Sequence, residues 1–141
     1  MSLLSFEEAQ FREKSEIFGR LFMFSIEKGY DSELFVKQLM TDSDYTDMLV
    51  FDNRFEWSDD HVLMAYLEDI KPFKVGDRHE DQFTMWFMGY LYKYWIATRK
   101  MLPSEVYKIL PFESFIAKFP FYHTQGWLYI IENEMNSYQQ V

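Results

Sequence analysis

The stretch from about residue 78 to residue 100 constrains this chain most. It places Phe83, Trp86, Phe87, Tyr90, Leu91 and Tyr94 at helical spacing, holds a single glycine and no proline, and closes on Arg99-Lys100, which suits the negative pole of a helix dipole. A helix this apolar is core nearly all round, so other elements have to wrap it. Asp77-Arg78-His79-Glu80 reads as its box-like N-terminus. A second long helix is predicted over 6–28. There Ser5-Phe6-Glu7-Glu8 has capping-box spacing, Phe11, Phe18, Leu21, Phe22 and Ile26 keep the period, and Gly29 offers a natural stop.

Shorter helices follow each long one. Asp31-Ser32 restarts the chain ahead of Leu34, Phe35 and Leu39, and Thr41-Asp42-Ser43-Asp44 breaks it and caps a short helix running through Phe51. Asn53 to Trp57 reads as loop. Ser58 then caps a helix with Leu63, Tyr66, Leu67 and Ile70 on one face, which stops before Lys71-Pro72. In the second half Pro103 opens a helix with Val106, Ile109 and Leu110; Pro111 ends it and starts another over 112–118; Pro120 breaks the chain again. Thr124 is expected to cap a last helix carrying Trp127, Leu128, Ile131 and Met135. The short apolar runs Met48–Phe51 and Trp127–Ile131 leave a strand reading open.

The fold class expected is therefore all-α, a compact bundle of about six to eight helices. Glycine and proline together number 9 among 141 residues, which fits long helices and few tight turns. The length suits a single domain, 1–141. Both halves, 5–70 and 78–138, read long helix, two short helices, final helix, the pattern of a duplication. Residues 71–77, Lys-Pro-Phe-Lys-Val-Gly-Asp, join them.

Charge narrows the function. The net charge is −9, and residues 1–70 hold 16 acids against 6 bases while residues 71–141 hold 7 against 8. Such a chain repels nucleic acid and anionic membrane and is steered toward basic partners. Its apolar runs fall short of the ~18 residues that span a bilayer. With no secretory signal and no cysteine it is expected in the cytoplasm, without disulfide, thiolate or zinc–thiolate chemistry.

No motif names a reaction. Asp42-Ser43-Asp44-Tyr45-Thr46-Asp47 spaces oxygens like the start of a calcium loop, but Asp47 and Asn53 stand where Gly and Glu belong, so it reads as a cap cluster. His61, His79 and His123 have no i, i+4 pairing, and no metal or cofactor is expected. No nucleophile elbow and no glycine-rich phosphate loop occur. The acids Asp42, Asp44, Asp47, Asp59 and Asp60 fall at loops or helix starts, where they could reach a partner, and Tyr92 and Trp95 are candidate aromatic anchors beside them.

Tyr122-His123-Thr124-Gln125-Gly126, following the long apolar helix, Ser104-Glu105-Val106 and the Phe112/Phe115 segment, resembles a small helical bacterial family of unknown function. Its members carry a His-Thr-x-Gly stretch, here His123, Thr124 and Gly126, before an apolar, acidic helix. They occur beside predicted ADP-ribosyltransferase-like toxins and are regarded as their antitoxins. The similarity covers about residues 82–135; the acidic first half and Pro103, Pro111 and Pro120 depart from it. The resemblance implies a non-enzymatic, antitoxin- or immunity-like binding module that occludes a partner, such as a toxin encoded nearby. The alternative is a small-molecule-binding or enzymatic helical domain with an aromatic-lined pocket, and a homodimer burying its own aromatic surface is a third reading.

Overall fold

A computed structural model describes residues 5–50 and 59–139. Among them are eight α-helices and no strand: α1 Phe6–Glu27, α2 Ser32–Thr41, α3 Thr46–Val50, α4 Asp60–Ile70, α5 Gln82–Arg99, α6 Pro103–Ile109, α7 Phe112–Tyr122 and α8 Trp127–Gln139, with a 3-10 turn at Ser43–Tyr45 before α3. The all-α expectation holds, and Met48–Val50 and Trp127–Ile131 are helical. Phe51 and the loop expected at Asn53–Trp57 lie outside the described residues.

The centre is the crossing of α1 over α5. Gly19 and Gly89 face the opposite helix there. A Cβ placed on Gly89 would lie 2.5 Å from the Phe18 carbonyl oxygen, and one on Gly19 would lie 2.6 Å from Cδ1 of Trp86. The missing side chains set the approach of the two backbones. Around the crossing, Ile17, Phe18, Leu21 and Phe22 of α1 meet Met85, Met88 and Tyr92 of α5 in one continuous core. Helices α6, α7 and α8 pack on other faces of α5. Even Lys93 is buried, against α1 and α3; its ammonium donates to the Leu49 carbonyl at 2.6 Å and lies 5.3 Å from the Phe18 ring centre.

Caps explain several boundaries. Ser5 Oγ accepts the Glu8 amide at 3.0 Å, as the box spacing predicts. Gly29 has φ +78°. It gives its N–H to Ile26 while the Tyr30 N–H reaches back to Ser25, the paired bonds of a Schellman stop. Helix α5 starts later than expected. Asp81, rather than Asp77, caps it, taking the Thr84 amide at 2.9 Å and the Thr84 hydroxyl at 2.7 Å. Residues 78–80 are otherwise engaged: the Arg78 carbonyl receives the Ser32 amide, and Ser32 Oγ receives the Glu80 amide. They run alongside the start of α2 and cannot coil. The other end of α5 stops on Lys100, left-handed at φ 53°.

Three further expectations are corrected. Pro120 sits inside α7: it cannot donate to the Ile116 carbonyl, but only two helical residues follow it and the helix still closes through His123 N–H to Phe119. Thr124 does not cap α8. Its hydroxyl donates back to the Phe121 carbonyl at 3.0 Å, finishing α7, and α8 begins three residues later after Gly126. The α4 cap is Asp59, which accepts the His61 amide at 2.6 Å, while Ser58 lies outside the described residues. The connector at 71–77 is packed. Phe73 is buried against Tyr30, Phe35 and Tyr45, and a single bridge joins Val75 to Tyr30.

Candidate functional site

Four of the five acids proposed from sequence lie at the two ends of α4. At its C-terminal end Lys71 Nζ lies 2.7 Å from Asp42 and 2.9 Å from Asp44. Asp42 also takes the Asp44 amide at 3.0 Å, capping the 3-10 turn. The Lys71 hydrogen bond, helped by that amide, holds the Asp42 carboxyl below its ordinary value, and the two carboxylates push Lys71 up. Asp47, exposed in the first turn of α3, follows one turn later. At the N-terminal end of α4, Asp59 caps the helix and Asp60 faces Arg20 at 3.6 Å and His61 at 3.7 Å.

Tyr92 and Trp95 do not join them. Both are fully buried, because α5 is enclosed on these faces, so neither can anchor a partner. Tyr92 donates to the Leu110 carbonyl at 2.6 Å. Leu34 of α2 is exposed near Asp42, and α4 itself carries a row of apolar residues that reach the surface between the acids. Leu63, Met64 and Leu67 face the core, and Val62, Tyr66 and Ile70 stand out at 44%, 45% and 38% exposure. Spaced i, i+4, i+8, they form one stripe along the helix. The single apolar face expected for α4 is thus two: Tyr66 and Ile70 belong to the outer one. Asp69 is exposed beside the stripe.

A second feature lies between α7 and α8. A cleft of about 380 Å³ is lined by Ala117, Lys118, Phe121, Tyr122, Tyr129 and Asn133. At its base Glu134 is 3% exposed and bound three ways. Lys118 Nζ spans both carboxylate oxygens at 3.0 and 2.9 Å, and the Tyr122 hydroxyl donates to one of them. Asn133 Nδ2 donates to the Tyr122 oxygen at 2.7 Å. Burial, then the Glu134 carboxylate, pushes the Tyr122 phenol far up, so it remains a donor. Phe121 and Tyr129 are half exposed at the rim with rings 11° from parallel and centroids 6.3 Å apart.

The Lys–Glu–Tyr arrangement recurs in the first half, where Lys28 Nζ lies 2.9 Å from Glu68 and the Tyr30 hydroxyl donates to the same carboxylate. The triad alone is therefore a clasp between elements; the aromatic pair and Asn133 distinguish the second copy. Sequence reading missed Lys118, Asn133 and Glu134, and named Tyr122 only as part of the stretch before α8. The available signal was Glu134 itself, an acid at a core position of the 127/130/131/134 spacing.

The histidines stay apart. His61 stacks on Phe24 at 3.8 Å, His79 is exposed, and His123 Nδ1 lies 3.1 Å from the Phe119 carbonyl at the end of α7. Thr124 and Gly126 belong to the same α7–α8 turn. Among the described residues no three His, Asp or Glu side chains come together to hold a metal, and no helix is long and apolar enough to cross a membrane. Compared with known family models, curated proteins and solved structures, the chain matches none.

Proposed function

We propose that this chain is a non-enzymatic protein-binding module, antitoxin- or immunity-like, that occludes a basic partner through the outer face of α4. The observation carrying the reading is the Val62–Tyr66–Ile70 stripe with acids at both ends of its helix. Apolar side chains supply the area that loses water on docking, and rim charges govern encounter and orientation. The net −10 of residues 1–70 extends the same field, and a positively charged protein is the partner it attracts. The His123-Thr124-x-Gly126 resemblance adds the class: a small helical protein made beside the protein it neutralises.

The test uses a photo-crosslinking residue at Val62 in the native host, with the same residue at Ala117 as the comparison. The expected result is one crosslinked basic protein at position 62 only, whose complex is lost in Val62→Asp/Ile70→Asp while the helical circular-dichroism signal stays. A crosslink to a second copy of the chain, or equal labelling from both positions, overturns the reading.

A further inference from the structure

The α7–α8 cleft has what a small-ligand site needs, and the protein-binding reading makes no use of it. Its volume falls within the roughly 300–1,000 Å³ of ligand pockets, and apolar walls converge there on a few fixed polar groups. Counting donors and acceptors shows what remains open. Lys118 has three N–H groups and directs two at Glu134. The Tyr122 hydroxyl donates to Glu134 and accepts from Asn133. Asn133 uses one N–H, so its carbonyl oxygen and second N–H stay available as an adjacent acceptor and donor. Charge is balanced, with the buried Glu134 offset by the Lys118 ammonium on both its oxygens. An anion entering would meet Glu134, and a cation would meet Lys118; a neutral ligand meets neither penalty. Beside the polar edge, Phe121 and Tyr129 present two near-parallel rings on which a flat ring system can lie.

We propose that the cleft binds a neutral planar heteroaromatic carrying a donor and an acceptor side by side, a lactam or amidine edge, paired with the Asn133 amide and stacked on Phe121 and Tyr129. An asparagine amide reads such edges with two hydrogen bonds. Tyr122, Glu134 and Lys118 are positioning residues: they fix one Asn133 hydrogen and the cleft wall.

The probe is 2-quinolone, with N-methyl-2-quinolone as the analogue lacking the donor, followed by amide and aromatic NMR shifts on the full chain. The expected result is saturable 2-quinolone shifts at Ala117, Phe121, Tyr129 and the Asn133 side chain. Affinity should fall about tenfold for the N-methyl analogue, the scale of one lost hydrogen bond, and by more than that for Asn133→Ala, which removes both. Phe121→Ala should weaken both probes alike. Asn133 and Phe121 are exposed, and should Phe121→Ala fold poorly, the comparison of the two probes on the unaltered chain still decides. Absence of shifts at the solubility limit, shifts mapping to another face, or equal affinity for the two probes overturns the proposal.

Discussion

Gly89→Ala tests the helix crossing directly. On an isolated helix this change is favourable by about 1 kcal/mol, because alanine is the better helix former. Here the new methyl would lie 2.5 Å from the Phe18 carbonyl oxygen, 2.8 Å from Phe22 Cγ and 2.9 Å from the Phe18 carbonyl carbon. Two of those three atoms are backbone in the middle of α1, so relief requires the helices to separate by about an ångström, and overpacking of this sort costs about 1–3 kcal/mol or more. Two contacts under 2.9 Å put the clash at the upper end of that range, about 3 kcal/mol, so it outweighs the ~1 kcal/mol of propensity by about 2 kcal/mol. Gly126→Ala is the internal comparison, since its Cβ would meet nothing within 4 Å and its φ is not left-handed; there about 0.4–1 kcal/mol of stabilisation is expected from the unfolded chain. Urea denaturation of both variants at fixed pH reads the difference as opposite shifts in midpoint at constant slope. A Gly89→Ala midpoint at or above that of the unaltered protein would refute the close crossing.

The remaining predictions concern other positions. Lys100 adopts a left-handed conformation, so Lys100→Gly should stabilise by about 1 kcal/mol in thermal melts; destabilisation contradicts that stop. Trp127 packs on Phe87 and Tyr90 with ring centres 4.5 and 4.4 Å apart, so Trp127→Ala should cost about 3 kcal/mol and Thr124→Ala well under 1; equal losses would restore a capping role for Thr124. Asp42 is held below its ordinary value chiefly by Lys71, and Asp81 chiefly by the Thr84 amide. Their contribution is present above the unfolded-state value near ~3.9 and is lost as pH falls through the lower folded values. Asp81→Asn should flatten that acid limb, and an unchanged limb argues otherwise. Asp59→Asn/Asp60→Asn keeps a capping side chain at 59 and should slow association with the basic partner proposed for the outer face of α4, with little change in dissociation and with a wild-type on-rate that falls as salt rises; an on-rate indifferent to both removes the steering role.

Helix positions were legible in the sequence wherever a period and a cap coincided, as in α1 with Ser5 and Gly29. They were not legible where a competing contact took the capping residues. Asp77 and Thr124 have the right chemistry, but the hydrogen bonds between Arg78, Glu80 and Ser32 depend on what is nearby in space, and Thr124 has a local rival in the Phe121 carbonyl at the end of α7. The acids were placed correctly at loops and helix starts. Their apolar companions were not, because Tyr92 and Trp95 share an aromatic composition with surface anchors, and only the enclosure of α5 makes them core. For α4, eleven residues at helical spacing offered two apolar ridges, 63/67 and 66/70, and the contact with α1 chose between them. Glu134 was hidden by the assumption that an acid on an amphipathic helix faces water.

The α1–α5 crossing also sets the order in which the chain can fold. Gly19 and Gly89 are seventy residues apart in sequence, and at synthesis rates of about 5–20 residues per second α1 waits roughly 4–14 s on the nascent chain before its main partner is made. During that interval Ile17, Phe18, Leu21 and Phe22, all buried in the finished protein, are without α5, and α4 and α2 are the main earlier helices packed on α1. The loop closed by this crossing is long for a helical protein, so folding should be slower than its helix content implies. A holding chaperone, or a partner already bound to the outer face of α4, would then affect yield in the cell more than it affects the stability of the folded molecule.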